Sequence, residues 1–151
     1  AVDAVRSLIG EVSEVMAYST KINPEFDYDP TVVATVRFEN GAIGKLSSTL
    51  ECVMPFDFHI TLLGTKGTIR NNNQLYSQKL PGQTAFATIP TVLPDHTSVP
   101  PFREEINDFV KSIVENRDPP LSMDDAVRTH EVIFAIDRSA AENRPIKLPL
   151  P

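Results

Sequence analysis

The chain has 151 residues, of which 41% are hydrophobic, and a formal charge of -6, which is enough material for one core without covalent staples. It has no Lys/Arg run, which argues against nucleic acid or an anionic membrane as the main partner, because phosphate binding needs a basic footprint. No apolar run approaches the roughly 20 residues of a membrane helix. The single Cys52 and three scattered histidines give neither a disulfide framework nor zinc spacing, and suit a reducing cytoplasm.

At the start, Val2, Val5, Leu8 and Ile9 share one stripe of a helix. Asp3 and Arg6 interrupt it, so it is not the core of a signal peptide. No Ser, Thr, Asp or Asn stands before the stripe to cap it, and Gly10 is its stop. "EVSEVMAYST" reads as a strand and "NPEFDYDP" as a polar, proline-bounded loop. "TVVATVRFE" and "AIGKLSSTLEC" are strong β segments, and Asn40-Gly41 between them predicts a hairpin with a type I′ turn. "DFHITLLG", "GTIRN" and "QLYSQK" follow as shorter strands, so about six strands form a mostly antiparallel sheet. Phe56, Phe58, Ile60 and Leu62 alternate with Asp57, His59, Thr61 and Leu63, and Leu46 and Leu50 with Lys45, Ser47, Thr49 and Glu51. One face of the sheet is therefore apolar and the other rich in Ser, Thr and charge.

Residues 79–101 are proline-rich and aperiodic, which predicts a long surface loop. "PPFREEINDFVKSIVENR" reads as a helix with Pro101 in its first turn and a buried stripe of Phe102, Ile106, Phe109, Val110, Ile113 and Val114. Asp118-Pro119-Pro120 ends it. Ser122 caps a last helix, with Asp125 as the capping-box acid, and the apolar run Val132 to Ile136 predicts cover on more than one side. The expectation is a single α+β domain over residues 1–151, with helices on one sheet face and the other, Ser/Thr-rich face either solvated or available for association.

By spacing alone no catalytic constellation emerges. "GTKGT" at Gly64–Thr68 lacks the Walker spacing and the following helix, so it reads as a tight turn between strands. His59 reads as a mid-strand structural histidine and His130 as a partly buried packing residue, while Cys52 has no adjacent base. Asp124 and Asp125 fit a helix start without catalysis. His96 differs in lying beside Asp95 in the long loop, where functional residues concentrate, although a solvent-exposed loop histidine is the commoner reading.

Four segments taken together carry a resemblance: "AVDAVRSLIGEVSEV", "ATVRFENGAIGKLSSTL", "LLGTKGTI" and "AIDRSAAENRPIKLPL". In this order they resemble the C-terminal domain of the Gfo/Idh/MocA oxidoreductases, the family of glucose–fructose oxidoreductase and inositol dehydrogenase. The resemblance covers essentially the whole chain. It implies a missing N-terminal Rossmann domain that binds NAD or NADP, with this domain shaping the substrate pocket and building a homo-oligomer through its sheet. Relatives carry a D-x-x-x-H stretch before the first helix, and Asp3 matches the Asp that follows its His, which would put that His just before Ala1. The glycine-rich cofactor loop and the Glu-Lys-Pro segment with the catalytic Lys would lie further upstream.

The expectation that follows is a domain of an enzyme oxidising a sugar or polyol alcohol, or reducing the ketone, and inactive alone. It has no catalytic, cofactor or metal residue of its own, and the substrate-side residues are Asp3, Phe56 and His96. Asp3 supplies a carboxylate acceptor for a sugar hydroxyl. Phe56 falls where some relatives carry an aromatic, often Tyr, that faces substrate; Phe lacks the hydroxyl for a polar contact, and core packing is an equal alternative for it. The loop holding His96 approaches the pocket, although relatives often place His just before the Pro-Phe, where this chain has Pro100. The competing expectation is a free-standing α+β ligand-binding or protein-interaction module without redox activity.

Overall fold

The computed structural model describes residues 1–54, 58–71, 73–89, 102–119 and 121–151, and of residues 102–104 only the backbone. Its elements divide into two compact units, residues 1–53 with 107–151, and residues 54–106.

The larger unit contains α1 (Val2–Ile9), β1 (Val12–Thr20), β2 (Thr31–Phe38), β3 (Ile43–Thr49), most of α2 (Phe102–Glu115), α3 (Met123–Glu142) and β8 (Ile146–Lys147). Its four-stranded antiparallel sheet runs β3-β2-β1-β8. β1 carries a bulge between Val12 and Glu14, which resets the alternation so that Val12, Val15 and Ala17 all face inward. They join Ala34, Val36 and Phe38 of β2, Val132, Ala135 and Ile136 of α3, and Ile146 in one buried cluster. Gly44 on β3 is small for a packing reason: a Cβ there would meet Val36 Cγ2 at 3.1 Å and Phe38 Cε2 at 3.3 Å.

The β2–β3 hairpin forms as expected but with a different turn. Phe38 N–H bonds the Ala42 carbonyl at 2.9 Å and Gly41 N–H bonds the Phe38 carbonyl at 3.0 Å. Only Gly41 has positive φ, so the connection is a three-residue loop with glycine at the left-handed position rather than a type I′ turn. The Asn40 side chain makes one tertiary and one local contact: Nδ2 donates to the Ile9 carbonyl at the end of α1 (2.8 Å), and Oδ1 accepts from Ala42 N–H within the loop (3.0 Å).

The smaller unit is a second four-stranded antiparallel sheet, in the order β4 (Leu62–Gly64), β5 (Gly67–Arg70), β6 (Gln74–Ser77), β7 (Ala87–Thr88). The expected single sheet of about six strands is therefore two sheets of four. The reason is local. Among the described residues of "DFHITLLG", the strand begins at Leu62 and pairs with β5, while the β2–β3 ladder of the first sheet ends at Thr49. β7 also falls inside the segment read as loop, where Ile89 N–H bonds the Asn73 carbonyl at 2.8 Å. Gln83 ties the intervening chain to β6, accepting from Ser77 N–H at 3.0 Å and donating to the Leu75 carbonyl at 2.7 Å. Arg70 lies 5.0 Å from the centroid of Phe86, a cation–π contact.

Three packing expectations are corrected. On α2, Ile106, Phe109, Val110, Ile113 and Val114 are all exposed, and Ser112 is the buried side chain, its hydroxyl closed onto the Asp108 carbonyl at 2.8 Å. α3 buries one stripe, Val132, Ala135, Ile136 and Ser139, while Phe134 on its other side is 60% exposed. Leu50, expected on the apolar face with Leu46, lies beyond the end of β3 and is exposed.

Candidate functional site

The most heavily bonded polar group of the larger unit sits where α1 meets α3. Asp3 and Arg6 are three residues apart on α1, and Asp125 and Thr129 four apart on α3, so each pair shares one helix face. Arg6 is 6% exposed. Its Nε and Nη2 grip Glu11 in a fork, at 3.1 Å to Oε2 and 2.8 Å to Oε1. Nη2 also donates to Asp125 Oδ1 at 3.0 Å, and Nη1 to the Asp125 carbonyl at 3.1 Å and Thr129 Oγ1 at 2.6 Å. A guanidinium has five N–H donors, and here each has an acceptor. Such saturation is what makes a buried cation tolerable.

The electrostatics follow from that geometry. The hydrogen bond from Arg6 holds the Glu11 carboxyl below the usual carboxylate range, with Arg128 adding a weaker attraction in the same direction. The bond to Glu11, then that to Asp125, raise Arg6 in turn against the opposing effect of burial. Asp125 therefore has a different partner from the one expected. Ser122 does cap α3, accepting from Asp125 N–H at 3.1 Å, but the Asp125 carboxylate turns to Arg6 instead of closing a capping box.

Asp3, the one sequence-derived site residue among the described residues, joins this cluster at its exposed rim. Thr129 Oγ1 donates to Asp3 Oδ1 at 3.2 Å, and Asp3 Oδ2 receives no hydrogen bond from the described residues. Phe56 and His96 lie outside the described residues. His130 is exposed rather than partly buried, with Nδ1 2.8 Å from the Ala126 carbonyl, because it points away from the buried stripe of α3. It shares a depression of about 440 Å³ with Met123, Ala126, Val127, Glu131 and Phe134. His59 is exposed and lies outside any strand, and Cys52 is an exposed free thiol. Glu51, expected beside Lys45 on the polar sheet face, instead accepts from Ile22 N–H, Asn23 N–H and the Thr31 hydroxyl, which lower its carboxyl.

Arg6 and Thr129 are the residues sequence reasoning missed. The available signal was a lone arginine at i+4 from Val2 within an apolar stripe, a position a soluble helix gives to a charge only when partners await it. Its acceptors on α3 lie 119 and 123 residues away, beyond any local pattern.

"GTKGT" is the β4–β5 hairpin, in which Gly64 pairs with Gly67. A Cβ on Gly67 would lie 2.8 Å from the Tyr76 carbonyl, so this glycine serves strand packing. The segment leads from one strand into the next and does not begin a helix that could hold a pyrophosphate. Among the described residues no group of His, Cys, Asp and Glu could hold a metal ion, and no helix is long and apolar enough to cross a membrane.

Comparison with known proteins agrees with this architecture. An uncharacterized oxidoreductase of Bacillus subtilis, YrbE, is 28% identical over 97% of this chain and 45% of its own length. The myo-inositol 2-dehydrogenase of Thermotoga maritima is 26% identical over 97% of this chain and 46% of its own. The chain thus spans about half the length of these curated relatives. Levoglucosan dehydrogenase in complex with NADH and levoglucosan superposes with a TM-score of 0.79, at 25% identity over 99% of this chain and 48% of that one. The WlbA dehydrogenase of Bordetella pertussis, in complex with NADH and UDP-GlcNAcA, shares the fold at a TM-score of 0.72 and 23% identity, over 99% of this chain and 43% of that one. The family described as the oxidoreductase family, C-terminal alpha/beta domain, matches residues 1–148. The chain belongs to the Gfo/Idh/MocA oxidoreductases, as their C-terminal α/β domain.

Proposed function

We propose that this chain is the substrate-side and assembly half of a cytoplasmic NAD(P)-dependent oxidoreductase acting on a sugar or polyol alcohol, or on the matching ketone. The observation that carries the reading is the family match over residues 1–148, combined with relatives about twice as long. Hydride transfer needs a nicotinamide in contact with the carbinol carbon and a group that takes the hydroxyl proton. Both belong to the other half of the parent protein, and this half turns over nothing alone. Its part is to bind and orient: Asp3 accepts a hydrogen bond from a substrate hydroxyl through its open Oδ2, and the family resemblance offers Phe56 and His96 as further substrate-side residues.

The second role is assembly. The outer face of the first sheet presents Tyr18, Val33, Thr35, Ile43, Lys45 and Ser47, in register across β1, β2 and β3. Tyr18, Val33 and Ile43 are large apolar side chains left exposed there. A two-fold axis through such a face makes it self-complementary, as C₂ interfaces require. The test is an NADH-formation assay with myo-inositol and NAD⁺, on this chain alone and on the two-domain protein. The expected result is activity only in the longer form; turnover by this chain alone contradicts the reading.

A further inference from the structure

We propose that Arg6 and Thr129 form a positioning relay that fixes the Asp3 carboxylate and leaves its second oxygen aimed at a hydroxyl of a polyol or sugar. The inference rests on the reading of Asp3 as a substrate contact and adds how that contact is held. The chemistry of the donors gives the relay its direction. A guanidinium only donates, so the 2.6 Å contact from Arg6 Nη1 occupies a lone pair of Thr129 Oγ1. The single hydroxyl proton of Thr129 is then left for Asp3 Oδ1, 3.2 Å away. The adjacent cation polarises that O–H and strengthens its donation to the carboxylate. Asp3 by itself is an exposed side chain near the start of a helix whose cap residue, Ala1, makes no side-chain bond. What holds it is thus on α3. Arg6 cannot wander, because Glu11 and Asp125 take its remaining donors. A rotamer fixed before binding is ordering entropy that the substrate does not have to supply.

The test separates the relay from the substrate role. In the 151-residue chain, three-bond couplings to the Asp3 carboxyl carbon report its χ1 rotamer. The relay predicts one rotamer in the wild type and in Thr129→Ser, and averaged couplings in Thr129→Val, with the backbone amide spectrum otherwise retained in both variants. Averaged couplings in the wild type, or fixed ones in Thr129→Val, overturn it. In the two-domain protein with myo-inositol and NAD⁺, Thr129→Val should raise KM about five-fold with little change in kcat, and Thr129→Ser should restore it. If Asp3→Asn leaves KM unchanged, the substrate reading of Asp3 fails. If Asp3→Asn raises KM and Thr129→Val does not, the relay alone fails.

Discussion

The Ser139 hydroxyl accepts from the Ala17 amide at 3.0 Å while donating to the Arg144 carbonyl at 2.7 Å. β8 pairs with β1 only at Glu14 and Val15, and extending that register by two residues would set Ala17 opposite Arg144. Ser139 thus bridges the two groups where the ladder has parted, as an ordered water would. It is fully buried, and so is Ala17.

Ser139→Ala strands the Ala17 N–H in the core. We expect a loss of about 2 kcal/mol, the cost of a buried donor without an acceptor. In urea the unfolding midpoint should fall with m unchanged. A variant as stable as the wild type would contradict the bridge.

Arg6→Met removes five donors and leaves Glu11 and Asp125 facing each other. Both carboxylates are more than a third exposed and rehydrate partly, so the loss should lie near the low end for a broken buried ion pair, about 3 kcal/mol. Arg6→Lys keeps the charge without the fork and should fall between. Chemical denaturation of the three proteins checks the ranking.

Glu11 also sets an acid limit. Its folded carboxyl lies below the ordinary range, because Arg6 binds the ionised form. The stability it contributes is therefore complete above its unfolded pKa, about 4.3, and is lost as pH falls through the lower folded value. Glu11→Gln should flatten that part of the stability-versus-pH curve. Glu51 and Glu142, lowered in the same direction by their own hydrogen bonds, keep a residual slope. An unchanged curve would show that Arg6 does not discriminate between the protonation states of Glu11.

The sheet-face interface is tested by sedimentation at micromolar concentration. The wild type should run as a multiple of 16.7 kDa. Val33→Asp, on the exposed face of β2, should run as a monomer whose unfolding midpoint no longer depends on protein concentration. A monomeric wild type would remove the assembly role.

What the sequence revealed was local. The α1 stripe, the β2–β3 hairpin and the Ser122 cap each depend on residues a few positions apart, and each is present. The turn type was misread because Asn40 had a competing use, the Ile9 carbonyl at 2.8 Å, which a dipeptide cannot show. The α2 stripe is amphipathic as expected, yet amphipathicity says only that a helix wants cover, not that this chain supplies it. At the candidate site the family resemblance draws attention to Asp3, whose substrate contact is a proposal, whereas Arg6 reads as an interruption of the α1 stripe. Its meaning depends on Asp125 and Thr129, whose nearness is a product of the fold.

Whether this domain holds substrate through Asp3 is decided by steady-state kinetics of the two-domain protein, with myo-inositol and NAD⁺ as the assay pair. Asp3→Asn keeps the size of the side chain and one oxygen but loses the charge that strengthens acceptance. A substrate contact at Asp3 should make this variant raise KM about ten-fold, with kcat within about a factor of two. An unchanged KM would contradict it.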